Sequence, residues 1–271
     1  MDELDNKLIA GMKILIVDDV PDNLSILGHF LKQSDLQIFI ARGGAQGIEF
    51  VKKNKPDLIL LDVMMPDIDG YEVCRKLKSD ESTKNIPVIF ITGLVETENI
   101  QKGFEAGAVD YITKPFQEIE VICRIKTQLK LKKAQDELIH QEKFYRAIVE
   151  RVPDLIFQLG QDRKIVFANP AFRFLGYDPV QMSGQLIDNI IVNDNKDDLL
   201  EKLATKNVGP LAVSDLRVKF KVSQDLGLAE EMPTCDFLVD SVGLWNVPDE
   251  QVFKDSSDKE FIGTLCIGKR I

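Results

Sequence analysis

The sequence predicts an α/β domain on a doubly wound, five-stranded parallel sheet, then a long helix, then an α+β domain with an antiparallel sheet. Three observations predict this. Residues 12–116 alternate short apolar runs with amphipathic stretches five times, the pattern of βα units whose strands are covered on both faces. Residues 116–150 hold neither proline nor glycine. After Pro153 the apolar residues fall at every second position, as in half-buried strands.

Taken in order, Lys13–Val17 is the first strand. Pro21 opens a helix, where a first turn tolerates it, and Leu24, Ile26, Leu27, Phe30 and Leu31 supply its apolar side. Gln37–Ala41 is the second strand, and Gly43-Gly44 leads into a helix with Ala45, Ile48 and Val51 on one face. Leu58–Leu61 and Val88–Ile91 are the third and fourth strands, with a helix from Gly70 to about Ser79 between them. A helix from Glu98 to Ala106 stops at Gly107, and Val109–Thr113 is the fifth strand. In the long helix, Leu131, Leu138 and Tyr145 lie seven apart, and Ala134, Gln141 and Ile148 follow each by three. That is a heptad seam. Ile122, Ile125 and Leu129 keep another phase, so the register shifts near residue 130. The expectation is a helix that closes the first domain and leaves it as a coiled-coil connector; the alternative is a helix lying on its own domain.

Strands at Leu155–Leu159 and Ile165–Ala168 flank a turn, and a helical patch runs from Asn169-Pro170 to Gly176. Short polar helices to about Ala204 precede strands at Leu216–Val222, Cys235–Val242 and Phe261–Ile267. The polar stretch Gly243–Glu260 reads as a mobile loop, with Trp245 as a candidate partner contact. The expected boundaries are a tail at 1–11, a first domain at 12–130, a helical linker at 131–150 and a second domain at 151–271.

A chain of 271 residues is long enough for two cores. Its net charge of −10 argues against nucleic acid as a partner. No apolar run approaches a membrane span, and the first residues lack a signal peptide's basic and apolar regions, so the expected location is cytoplasmic. Cys74, Cys123, Cys235 and Cys266 are dispersed and read as reduced packing residues.

In an open parallel sheet the strand C-terminal ends line one edge, and sites form there. That edge gathers Asp18-Asp19, Asp62, Thr92 and Lys114-Pro115, with Asp69-Gly70 in a neighbouring turn. Clustered carboxylates repel one another and call for a hard divalent cation. A carboxylate beside a cation and a lysine is set to accept a phosphoryl group.

The segments ILIVDD (14–19), LILLDVMMPDIDG (58–70), IFITG (89–93) and DYITKPF (110–116) resemble the response-regulator receiver domain of two-component signalling. The resemblance implies a flavodoxin-like strand order 2-1-3-4-5. It implies Asp62 as phosphoacceptor and Mg²⁺ held by Asp18, Asp19, Asp62 and the backbone carbonyl of Met64. Thr92 and Lys114 would bind the phosphoryl oxygens, with Thr92 and Tyr111 as the switch pair, Tyr111 rotating inward when Thr92 moves, and Lys114-Pro115 in a cis bond. Gly93 departs from the family's frequent alanine, which leads us to expect faster loss of the phosphoryl group. The partner would be a sensor histidine kinase or phosphotransfer protein.

The segments VPDLIFQL (152–159), IVFANPAFRFLGY (165–177) and FIGTLCIGKRI (261–271) resemble a PAS domain. No haem is expected there, because His29 and His140 both lie outside it, and no flavin, because Asn169-Pro170-Ala171-Phe172 lacks the cysteine of the flavin photosensors. His29 reads as structural, and Phe172, Phe174 and Tyr177 read as core or as a ligand lining. The resulting expectation is a response regulator, not itself an enzyme, that relays phosphorylation of Asp62 through the helical linker to a PAS module within a homodimer. Two alternatives stay open: the regulatory N-terminal part of a larger histidine kinase or diguanylate cyclase, and a PAS sensor with the receiver as a dimerisation scaffold.

Overall fold

A computed structural model describes residues 7–32, 34–93, 97–204, 206, 212–223, 233–246 and 260–271. The chain divides into two compact units, Met1–His140 and Gln141–Ile271.

In the first unit five strands form one parallel sheet: β1 (Lys13–Val17), β2 (Gln37–Ala41), β3 (Leu58–Asp62), β4 (Val88–Thr92) and β5 (Asp110–Thr113), in the order β2-β1-β3-β4-β5. Helices α1 (Pro21–Leu31), α2 (Gly44–Asn54), α3 (Gly70–Ser79), α4 (Thr97–Glu105) and the start of α5 (Glu118–Arg151) connect and cover it. Strand side chains alternate between faces. Leu15, Val17, Ile59, Leu61, Val88 and Phe90 pack on one side with Val51, Val73, Cys74 and Leu77. Ile14, Ile16, Leu58, Leu60, Ile89 and Ile91 pack on the other with Leu24, Leu27, Leu31, Val121, Ile125 and Leu129. Burying each such side chain is worth about 1.5–3 kcal/mol, so both faces are strongly held.

Several details differ from the sequence expectation. Ile9, placed in the tail, is buried in the second of these layers. On α2 the buried residues are Gly44, Gly47 and Val51, while Ala45 faces solvent. A Cβ on Gly44 would stand 2.3 Å from Ile68 Cγ2 and 2.6 Å from Val73 Cγ2, so glycine lets α2 sit close to α3. On α5 the inward residues are Val121, Ile125 and Leu129, four apart, and Ile122 is half-buried. His29 is exposed.

Beyond Leu129 the long helix carries no buried residue. Leu131 is 53% exposed, Leu138 66% and Tyr145 64%. Ala134, Gln141 and Ile148 are exposed as well, so the whole heptad seam lies open.

The second unit holds an antiparallel sheet of β6 (Leu155–Leu159), β7 (Ile165–Ala168), β8 (Val213–Lys221), β9 (Thr234–Trp245) and β10 (Phe261–Arg270), in the order β7-β6-β10-β9-β8. Two 3₁₀ turns (Pro170–Leu175 and Ile187–Asn189), α6 (Pro179–Met182) and α7 (Lys196–Leu203) accompany it. Its core centres on Phe157, Phe172, Phe220 and Phe237, packed edge-on with ring centroids 5.5–6.2 Å apart, a favoured aromatic geometry. Phe172 thus belongs to the core. Phe174 is exposed beneath the Arg270 guanidinium, 4.3 Å from its ring centre, and Tyr177 is half-buried.

Asn169 is a fully buried polar joint. Its amide nitrogen donates to the carbonyls of Val149 (3.2 Å), Val152 (3.4 Å) and Asp154 (2.9 Å), and its oxygen accepts from Ile156 N (3.0 Å). A helix end leaves carbonyls without partners, and Asn169 satisfies that of Val149 in the last turn of α5 and those of Val152 and Asp154 just beyond it.

Trp245 corrects the loop expectation. It ends β9, donates from Nε1 to Lys206 O (3.0 Å) and packs on Phe261 at 5.4 Å. Residues 247–259, most of the expected loop, lie outside the described residues. Among the described residues no helix is long and apolar enough to cross a membrane.

Candidate functional site

Parallel pairing brings the strand ends together. Val17 lies opposite Leu61, Asp62 opposite Ile91, and Thr92 opposite Thr113. Asp18, Asp62, Thr92 and Lys114 therefore emerge along one edge, although Asp18 and Lys114 are 96 residues apart.

Lys114 Nζ donates to Asp62 Oδ1 (2.7 Å) and to Asp18 Oδ2 (3.2 Å). Asp18, 0% exposed, also accepts from Val20 N (2.8 Å) and from Asn23 Nδ2 at both oxygens (3.0 and 2.9 Å). One carboxylate oxygen each from Asp18, Asp19 and Asp62 lies within 4.8 Å of the others. Oδ1 of Asp19 is buried and has no hydrogen-bond partner.

The charge balance is incomplete. Burial pushes the Asp62 carboxyl above its usual range; the hydrogen bond from Lys114 opposes this, and the charges of Asp18 and Asp19 reinforce it. For Lys114, burial works against its charge, but bonding and attraction to Asp62 and Asp18 outweigh that and raise it. One ammonium thus faces three carboxylates, and the buried Asp19 oxygen without a donor suits a cation as its partner. An all-carboxylate oxygen set suits Mg²⁺, which binds few protein ligands and keeps several waters. The residues present fit that ion.

Local structure sets Asp62. Gly70 N donates to Val63 O (2.9 Å), and a Cβ on Gly70 would stand 2.2 Å from Asp62 O, so only glycine lets α3 abut the peptide beside Asp62. Asp69 caps α3 by accepting from Glu72 N (2.7 Å) and lies outside the carboxylate cluster. Met64 is exposed, while Met65 enters the core. The Lys114-Pro115 bond is cis. Thr92 is buried at the same edge. Tyr111 is half-buried, with its ring edge-on to Phe104 (6.4 Å) and under Arg124 (5.5 Å).

Sequence reasoning missed three contributors. Asn23 braces Asp18, and its signal was an amide two residues into a helix that follows an acidic pair. Asp67 accepts from Gly44 N (3.3 Å) and Ala45 N (3.1 Å). The Ala45 amide, then those of Ile68 and Gly44, hold its carboxyl below the usual range against slight desolvation, and this pins the loop after β3 to α2. Tyr71 donates to Asn99 O (3.1 Å).

Residues 14–126 match the family described as the response regulator receiver domain, and residues 143–218 match the PAS fold. A probable cyclic di-GMP phosphodiesterase of Vibrio cholerae is 41% identical over 143 residues, 53% of this chain and 32% of that protein. The response regulator PleD of Caulobacter vibrioides is 38% identical over 130 residues, 48% of this chain and 29% of that protein. The chain therefore spans about a third of the length of these relatives. The crystal structure of a putative response regulator from Chloroflexus aurantiacus is 34% identical, covering 44% of this chain and 98% of that one, with a TM-score of 0.43.

Proposed function

From a chain that carries a response regulator receiver domain followed by a PAS domain, we propose a signalling protein that takes a phosphoryl group on Asp62 from a histidine kinase or phosphotransfer protein. The observation that carries this reading is the bridge of Lys114 between Asp62 and Asp18 within a three-carboxylate cluster that holds a donorless buried oxygen.

An Asp62 carboxylate oxygen attacks phosphorus, the phosphorus bond to the donor's leaving group breaks, and an acyl phosphate remains. Asp18, Asp19, Asp62 and the Met64 carbonyl would hold Mg²⁺, which when bound offsets the charge that builds on the phosphoryl oxygens. Lys114 supplies a fixed positive charge to one of those oxygens, and the Thr92 hydroxyl donates to another. Asn23 keeps the Asp18 carboxylate oriented. The bound group adds about −1.5 to −2 charges, enough to bias the Thr92–Tyr111 switch. The chain is a phosphoacceptor whose signal passes along α5, and the open heptad seam supports pairing with a second copy of this chain.

Acetyl phosphate with Mg²⁺ should add one phosphoryl mass to the native chain. Asp62→Asn should show at least a hundred-fold less, and excess chelator should abolish labelling. Unchanged labelling of Asp62→Asn would remove the proposal. A second reading makes these residues the regulatory part of a larger enzyme that acts on cyclic di-GMP; its support is the phosphodiesterase relative, matched over 32% of that protein's length.

A further inference from the structure

A small cavity is lined by the switch residues on one side and by α4 on the other. Tyr71, Phe90, Thr92, Gly103, Phe104 and Tyr111 are among its lining residues, and its volume is about 10 Å³, roughly the room of one water molecule. A phenol ring needs several times that space. Tyr111 therefore cannot turn inward while the walls stay as they are, although the switch reading requires that turn.

Two features hold α4 against the cavity. Gly103 brings the helix so close that a Cβ there would meet the Phe90 ring at 3.2 Å. Tyr71, the second residue of α3, stands edge-on to Phe90 at 5.2 Å and spans to α4, where its hydroxyl donates to Asn99 O (3.1 Å). This contact joins elements 28 residues apart. Tyr71 also follows Gly70, whose close fit ties the start of α3 to the peptide beside Asp62.

We infer that Tyr71 is a positioning residue of the switch: its hydroxyl latches α4 to α3 across this cavity, and the latch must open before Tyr111 can enter. The inference rests on the receiver reading of the site. Loss of the latch should favour the inward state before any phosphoryl group arrives. A single neutral hydrogen bond then sets the scale, about 2- to 10-fold in the population ratio.

The test uses the full chain with ring-labelled tyrosines, of which there are four, observed by NMR. Tyr71→Phe keeps the ring and deletes the hydroxyl. In this variant the Tyr111 signals of the unphosphorylated chain should shift toward their phosphorylated positions, and labelling by acetyl phosphate should quicken by about 2- to 10-fold. A merely structural role would lower stability without moving Tyr111 toward that state. Tyr111 signals and labelling rates equal to native, or slower labelling, would overturn the latch.

The native chain gives an independent reading. Phosphorylation should change the Tyr71 ring signals together with those of Tyr111, and unchanged Tyr71 signals would overturn the latch even if the variant fails to fold. If the native chain takes no phosphoryl group on Asp62, the receiver reading itself fails. If it is labelled normally but Tyr71→Phe behaves as native, only the latch does.

Discussion

Gly93 has open space where a side chain would stand: a Cβ built there meets no heavy atom within 4 Å. Gly93→Ala should therefore fold as native and crowd the approach of water beside Thr92. Loss of the phosphoryl group, followed by mass spectrometry after donor removal, should slow by about 2- to 5-fold, less than about 1 kcal/mol of barrier. The cysteines give a pH test. Burial pushes the Cys74 thiol up to about 11, whereas Cys123 is exposed. The raised value favours the neutral thiol in the folded chain, so its stabilising effect holds below the ordinary value of 9.0 and is lost as pH climbs towards 11. At pH 8, iodoacetamide should label Cys123 and spare Cys74 and Cys266 until denaturant is added, because the thiolate is the reacting form. At this scale the acidic residues and Lys114 were legible because each lies at the end of a strand or just beyond it. Tyr71 was not, because its partner is a main-chain carbonyl on a distant helix, which no side-chain pattern encodes.

The elements were legible where burial repeats. Every strand of the first unit ends within a residue or two of its expected place, since continuous apolar runs bounded by polar turns leave little freedom. On α2 the expected Ile48 and Val51 do meet the core, but Gly44 and Gly47 take the place expected of Ala45, because glycine that permits close helix contact carries no apolar signal. Strand β9 runs on to Trp245 because the indole and the Phe261 ring pair across it, a contact set by cross-strand register. Asn169 shows what one polar residue does for an element. Asn169→Ala should cost about 1–3 kcal/mol, since it strands carbonyls at and just beyond the end of α5. Asn169→Asp, with an oxygen in place of the donor, should cost at least as much. Thermal melting of both variants beside the native chain would check the order.

For the molecule as a whole, the open seam on α5 yields a prediction about assembly. Leu131, Leu138 and Tyr145 line one side of the helix and are all exposed, and Gln141 adds a polar position that fixes register at some cost in affinity. Leu138→Glu should weaken self-association at least ten-fold in sedimentation equilibrium, and Gln141→Leu should strengthen it. Equal association of all three proteins would dismiss the seam as an interface. Such an exposed stripe was legible because heptad spacing is narrow; a covering partner was not, because pairing partners leave no mark on a single sequence. The acidic edge draws on the ends of β1, β3, β4 and β5, so no half of the sheet owns a working pocket. A chain cut before Thr113 would lack the ammonium altogether, and a partly unfolded one would scatter the acids. Cation affinity should thus vanish at the same denaturant midpoint as the sheet itself, and excess Mg²⁺ should push that midpoint higher, which makes ion uptake a gauge of complete folding.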